Sequence, residues 1–187
     1  MNIAIVGATG NVGRKVLEVL ERKNLPISEV YLVASARSAG SKINFKGKDI
    51  EVENLETFDF SKAKITFFAA GGKISEAYAS KAANHSIVID NSSFYRMDPD
   101  VPLIVPQVNA DDLKNIKKNI IANPNCSTAQ LVLPLKPIHD LFKIKRVVVA
   151  TYQSVSGGGK APMDELVEQT KQVLENKKIE SKNFTKQ

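Results

Sequence analysis

The sequence holds one cysteine, Cys126, and two histidines, His85 and His139. A single thiol excludes an internal disulfide and agrees with a reducing compartment, so a cytoplasmic location is expected. No apolar run approaches the roughly 20 residues that a bilayer-crossing helix needs, and no membrane partner is expected. The N-terminus, Met1-Asn2-Ile3-Ala4-Ile5-Val6, has no basic leader and reaches glycine too soon for a signal peptide. Aromatics are not interleaved with the basic clusters, which are Lys114-Lys117-Lys118 and the tail lysines Lys177, Lys178, Lys182 and Lys186. The net charge of +6 therefore reads as solvated helix faces rather than a nucleic-acid stripe, and no nucleic acid is expected as partner. The mild positive potential favours anionic small molecules. Repeats and low-complexity segments are missing too.

What the sequence has is an alternation of apolar strands with helical patterns. Residues 2–6 read as a buried strand, followed by a glycine-punctuated turn. A helix then runs to about Lys23 on Val12, Val16, Leu17, Val19 and Leu20. Val30–Ala34 is a strand, 43–52 a hairpin around Lys46-Gly47-Lys48, and Ile65–Ala69 a strand. A helix follows over Ser75–Ala83, with further strands at Ile87–Asp90 and Ile120–Ala122. Residues 101–108 are Pro-rich and extended. A helix after Cys126 carries Leu131, Leu135, Ile138 and Leu141, and Pro134 and Pro137 are expected to distort it. A strand over Arg146–Gln153 and a helix over Ala161–Glu175 complete the reading. The class is α/β, a doubly wound parallel sheet of Rossmann-like type. It occupies residues 1–127, and a second, incomplete domain occupies 128–187.

The heptapeptide GATGNVG, residues 7–13, lies between the first strand and the first helix. Its G-x-x-G-x-x-G spacing is a variant of the dinucleotide fingerprint. Glycine permits a sharp turn and close approach to a pyrophosphate, and the helix N-terminus offers N–H groups and partial positive charge. Gly7, Thr9, Gly10, Asn11, Val12 and Gly13 are the candidate cofactor contacts. An NAD-binding strand usually ends in an acid that holds the ribose hydroxyls. Here the second strand ends in Ala34-Ser35-Ala36-Arg37-Ser38-Ala39-Gly40. Arg37 and Ser38 suit a 2′-phosphate, which favours NADP.

Cys126 follows a short strand and Pro124 and begins a helix. Ser127 or Thr128 is positioned to cap that helix. A helix N-terminus stabilises a thiolate, and its amides stabilise an oxyanion. The thiol is thus a candidate nucleophile, although a lone cysteine is more often buried and inert. Neither histidine is well placed to serve it as a base. No metal is called for.

The segments GATGNVG, SARSAG, AAGG (69–72), DNSSFYR (90–96), VPQVN (105–109), NPNCST (123–128) and TYQSVSGGG (151–159) stand in an order that resembles the aspartate-semialdehyde dehydrogenases. The resemblance covers essentially the whole chain. It implies an NADP-binding domain followed by an α+β catalytic and dimerisation domain. It also implies NADPH-dependent reduction of aspartyl phosphate to the semialdehyde with release of phosphate, in lysine, methionine, threonine and diaminopimelate biosynthesis. Cys126 would form a thioester. Asn125 would position its backbone, Gln153 would orient the substrate, and Arg96 would bind phosphate. Gly72, Asn91, Ser156 and Gly157 would line the cofactor. The full-length family member would be a homodimer or homotetramer. The family's acid/base histidine lies further along than this chain extends, so a fragment with little or no turnover is expected. A minor departure is glycine in SVSGGG, where many relatives have alanine. The rival readings are an acetylglutamyl-phosphate reductase-like enzyme and a nucleotide-binding module without catalysis.

Overall fold

The computed structural model describes residues 1–23 and 25–184. Lys186 of the tail cluster, and the end of the second domain, lie outside the described residues. Strand β1 (Asn2–Val6) is buried from Ile3 onward, as expected of a strand covered on both faces. Helix α1 (Asn11–Arg22) follows, then β2 (Glu29–Ala34) and the antiparallel pair β3 (Lys42–Phe45) and β4 (Lys48–Asn54). Lys46 and Gly47, both at positive φ (50° and 77°), form the two-residue hairpin turn whose twist matches the strands it joins. Next come β5 (Ile65–Phe68), α2 (Gly72–Ala83), β6 (Ile87–Asp90), the short α3 (Pro106–Asn109) and β7 (Ile120–Ala122).

The sheet order is β3-β4-β2-β1-β5-β6-β7, parallel apart from the β3–β4 hairpin. Chain direction across the sheet reverses between β1 and β5, the place where such folds bind ligands. Period-two alternation along β1 sends Ala4 and Val6 into one core and Ile3 and Ile5 into the other. The first core packs against Ala79, Ala82 and Ala83 of α2, and the second against Leu17 and Leu20 of α1. The sheet is therefore doubly wound. The buried face of α2 is built from Ser75 and alanines, which lets the helix approach the sheet closely.

Helix α4 (Cys126–Phe142) runs through Pro134 and Pro137 without interruption. The extended reading of 101–108 holds only as far as Val105. Residues 102–104 lie beside β7, with Ile104 N–H donating to Ala122 O at 2.9 Å, and Pro106 then opens α3. The expected strand over Arg146–Gln153 is not formed. Its valines are exposed, and among the described residues no strand lies alongside to complete its hydrogen bonds. A β-rich sequence without a partner strand has no ladder to join. The chain divides into two compact units, Met1–Val147 and Val148–Gln187. The second unit contains a 3₁₀ turn over Val155–Gly158 and helix α5 (Lys160–Leu174). The boundary by sequence pattern, after residue 127, falls at the start of α4. No helix among the described residues is long and apolar enough to cross a membrane.

Candidate active site

The glycine turn at the end of β1 is a cradle that side chains would fill. Gly7 sits at φ +86° and donates its N–H to Val33 O at 2.8 Å. A Cβ there would lie 2.7 Å from Ala69 O, so both the angle and the space demand glycine. At Gly13 a Cβ would fall 2.2 Å from Gly7 O, and that absence lets α1 seat against the turn. Gly10 N–H closes the loop on Gly7 O at 3.0 Å, and Thr9 O accepts from Arg14 Nε at 3.2 Å. Asn11 and Val12 open α1, whose first turn carries no acidic side chain. Its positive end is left for an exogenous anion. These residues fit a dinucleotide pyrophosphate.

Beyond β2 the chain folds into a turn held by Ser38 N–H and Ala39 N–H on Ser35 O and by Gly40 N–H on Val52 O. Arg37 is exposed on this turn and forms no ion pair among the described residues. Ser38 lies beside it, half-buried. No acid at the end of β2 competes with an anionic ribose substituent.

The ends of β5, β6 and β7 supply the other wall. Gly71 (φ +89°) turns the chain into α2, and a Cβ on Gly72 would meet Ser93 Oγ at 3.8 Å. Asp90, the last residue of β6, is fully buried. It accepts from Ser75 Oγ (2.8 Å), Ser92 N–H (2.9 Å) and Ser92 Oγ (2.7 Å), which ties α2 and the following loop to the strand end. Arg96 donates through Nε to Asn123 O at 2.9 Å and through Nη2 to Asn91 O at 3.0 Å. Asn123 Nδ2 donates to Asn91 Oδ1 at 2.7 Å. Farther along the loop, hydrogen bonds from Lys118 and then the Asp100 N–H hold the Asp98 carboxyl below the usual carboxylate range.

Asn125 caps α4. Its side-chain oxygen accepts from Ser127 N–H at 3.0 Å and from Ser127 Oγ. The cap expected from Ser127 or Thr128 is thus two or three residues too late. The capping residue must be extended and precede the helix, and Asn125 (φ −59°, ψ 147°) does both. Cys126 is therefore the first helical residue. It is exposed, with Sγ 4.0 Å from Asn125 Oδ1. From β1 to β7 is three strand spacings, about 14 Å. The glycine cradle and the thiol thus stand on one edge of the sheet, separated by β5 and β6.

Neither histidine reaches that edge. His85 lies in the turn that enters β6, at the opposite end of the strands. His139 is in the last turn of α4, about 20 Å along the helix from Cys126. Gln153, Ser156 and Gly157 belong to the second unit. Gln153 is exposed on an irregular segment rather than at a strand end. Ser156 N–H donates to Ser154 Oγ at 3.3 Å and Gly157 N–H to Ser154 O at 3.1 Å, within the 3₁₀ turn. Sequence reasoning passed over Asp90 and Asn123. A carboxylate ending the apolar run Ile87-Val88-Ile89, with two serines after it, was the available signal for Asp90. Asn123 carried none.

Residues 2–116 match the semialdehyde dehydrogenase NAD binding domain, and residues 135–187 match the semialdehyde dehydrogenase dimerisation domain. An aspartate-semialdehyde dehydrogenase of Shewanella violacea is 48% identical over 188 residues, covering 100% of this chain and 56% of the relative. That of Aquifex aeolicus is 53% identical over 180 residues, 95% of this chain and 53% of the relative. The crystal structure of aspartate semialdehyde dehydrogenase II from Vibrio cholerae, complexed with ASA, superposes with a TM-score of 0.94 at 48% identity, covering 100% of this chain and 56% of that one. The enzyme of Candida albicans, solved with NADP, gives a TM-score of 0.63 at 30% identity over 75% of this chain and 47% of that one. The chain spans about half the length of the relatives it matches.

Proposed function

The chain belongs to the semialdehyde dehydrogenase family, and we propose that the protein it forms reduces L-aspartyl 4-phosphate to L-aspartate 4-semialdehyde with NADPH, through a thioester on Cys126. The observation that carries the reading is the exposed thiol at the first turn of α4, on the same sheet edge as a dinucleotide-shaped glycine cradle.

The chemistry follows from that arrangement. Cys126 sulfur attacks the acyl carbon, the C–S bond forms and the C–O bond to phosphate breaks, releasing inorganic phosphate. Amides of the first turn of α4 take up the charge on the carbonyl oxygen. The reduced nicotinamide, when bound, supplies a hydride to the thioester carbon. The tetrahedral adduct on sulfur then collapses, the C–S bond breaks, and the aldehyde leaves with the thiolate restored.

Gly7, Thr9, Gly10, Asn11, Val12 and Gly13 cradle the pyrophosphate. Arg37 and Ser38 bind the 2′-phosphate, while Gly72, Asn91, Ser156 and Gly157 line the remainder of the cofactor. Arg96 holds the substrate phosphate, Gln153 orients the acyl group, and Asn125 sets the backbone of the nucleophile. The product serves lysine, methionine, threonine and diaminopimelate synthesis, in the cytoplasm, and the full-length protein assembles as a homodimer or homotetramer. With no histidine near Cys126, this chain alone binds cofactor and accepts an acyl group but turns over little.

Intact-mass analysis after incubation with aspartyl phosphate tests this. A single acyl adduct, absent in Cys126→Ser, is expected. Dinucleotide binding without any adduct would overturn the reading, and an adduct formed from acetylglutamyl phosphate alone would reassign the substrate.

A further inference from the structure

Arg96 does more in this fold than offer charge to an anion. Beyond the last rung of the β6–β7 ladder, where Asn123 N–H donates to Asp90 O at 2.8 Å, the two strands leave the sheet. One continues into the loop that carries Arg96, the other into the turn that ends at Cys126. Arg96 closes the gap between them, with Nε on Asn123 O and Nη2 on Asn91 O. The amide pair Asn123 Nδ2 to Asn91 Oδ1 completes a ring of three side chains and two main-chain carbonyls. Pro124 is buried, and Asn125 then caps α4 over the nucleophile. The position of the Cys126 turn is thus fixed from one side by the helix cap and from the other by a guanidinium.

We propose that Arg96 is a positioning residue for Cys126: by bridging the carbonyls of Asn91 and Asn123 it holds the turn that presents the thiol at the first turn of α4. The inference rests on the reading of Cys126 as the nucleophile but adds a role independent of substrate. Of the five N–H groups of a guanidinium, one on Nε and one on Nη2 are used on the carbonyls. The other three have no protein acceptor among the described residues. The same rigid plane that staples the turn therefore presents its free edge to an anion, and seating of the anion and placement of the sulfur are joined in one group. A lysine retains the charge but has neither the planar fork nor the spacing to span both carbonyls.

Because Cys126 is the only cysteine, alkylation reports on one atom. The experiment measures labelling rates of the 187-residue chain with neutral iodoacetamide and anionic iodoacetate, for the unchanged protein, Arg96→Lys and Arg96→Ala. If the guanidinium positions the turn, the iodoacetamide rate falls about fivefold in both variants, the scale of a thiol losing a helix N-terminus. If Arg96 serves only as a charge for anions, Arg96→Lys keeps both rates and Arg96→Ala slows iodoacetate alone, and the proposal fails. Circular dichroism confirms that the variants are folded. Asn123→Ala, which breaks the amide pair and leaves every charge in place, is the second variant. It is expected to slow iodoacetamide about twofold, between the unchanged protein and Arg96→Lys, and an unchanged rate would also overturn the proposal. Neither reagent resembles an acyl phosphate, so failure here is separate from failure of the acylation test.

Discussion

Arg37 stands exposed after β2, with no carboxylate paired to it among the described residues and no acid at the strand end. A guanidinium in that state keeps its full hydrogen-bonding capacity for a phosphate. Charged hydrogen bonds of this kind contribute about 1.5–3 kcal/mol. Arg37→Ala is therefore expected to weaken NADPH binding by about tenfold or more while changing NADH binding little, as titration calorimetry would reveal. Equal losses for both cofactors would remove Arg37 from the 2′-phosphate site. The sequence made Arg37 legible through a missing residue, the acid. It made Cys126 legible through its neighbours. It could not reveal Asp90 as the buried hub of three hydrogen bonds, because its partner Ser75 is separated by 15 residues and meets it only when α2 packs on the sheet.

At the level of elements, the turn from β1 to α1 and the turn from β7 to α4 make opposite demands. The first needs the absence of atoms. Gly13→Ala would push a methyl to within 2.2 Å of the Gly7 carbonyl. A cost of about 2 kcal/mol or more is expected, with loss of dinucleotide binding, since the turn must move. Gly40→Ala, at φ +81° with nothing within 4 Å, should cost only the backbone strain of about 1 kcal/mol. Thermal melts of the two variants separate steric from conformational cost, and equal shifts would contradict the tight seating at Gly13. The second turn needs a side chain in place. Asn125→Ala removes the oxygen that accepts from Ser127 and should destabilise by about 1 kcal/mol. The helix start at Cys126 was readable from the pattern. Which residue caps it was not, because cap identity depends on backbone angles.

On the scale of the whole molecule, two features set behaviour in solution. In the second unit, Glu165 accepts from the N–H groups of Lys182 and Asn183 and from Asn183 Nδ2, and so holds the segment after α5. Burial raises the Glu165 pKa, but these hydrogen bonds outweigh it and the carboxyl lies below its ordinary value. A lowered folded value means that the docking is stabilising above the ordinary glutamate range and is lost as pH falls through the lowered value. Protection of the Lys182 and Asn183 amides against hydrogen exchange, relative to their intrinsic rates, should therefore fall on acidification and be low at all pH values in Glu165→Gln. Protection that is independent of pH would show that the carboxylate does not hold the segment. In the first unit, Leu141 and Phe142 at the end of α4 are both 77% exposed. Adjacent apolar surface of this kind favours association. Leu141→Ser with Phe142→Ser is expected to raise the monomer fraction in sedimentation velocity, and no change would locate association elsewhere.

The sequence alone determined the parallel α/β class, the glycine turn, nearly every strand and the helix start at Cys126, because period-two and helical patterns, glycine spacing and helix starts are local properties of a chain. Tertiary structure decided what depends on partners. The run Arg146–Gln153 has every mark of a strand and forms none, since a strand exists only against another. Arg96 and Asn123 become one unit only because β6 and β7 end side by side, a juxtaposition that no spacing along the chain encodes.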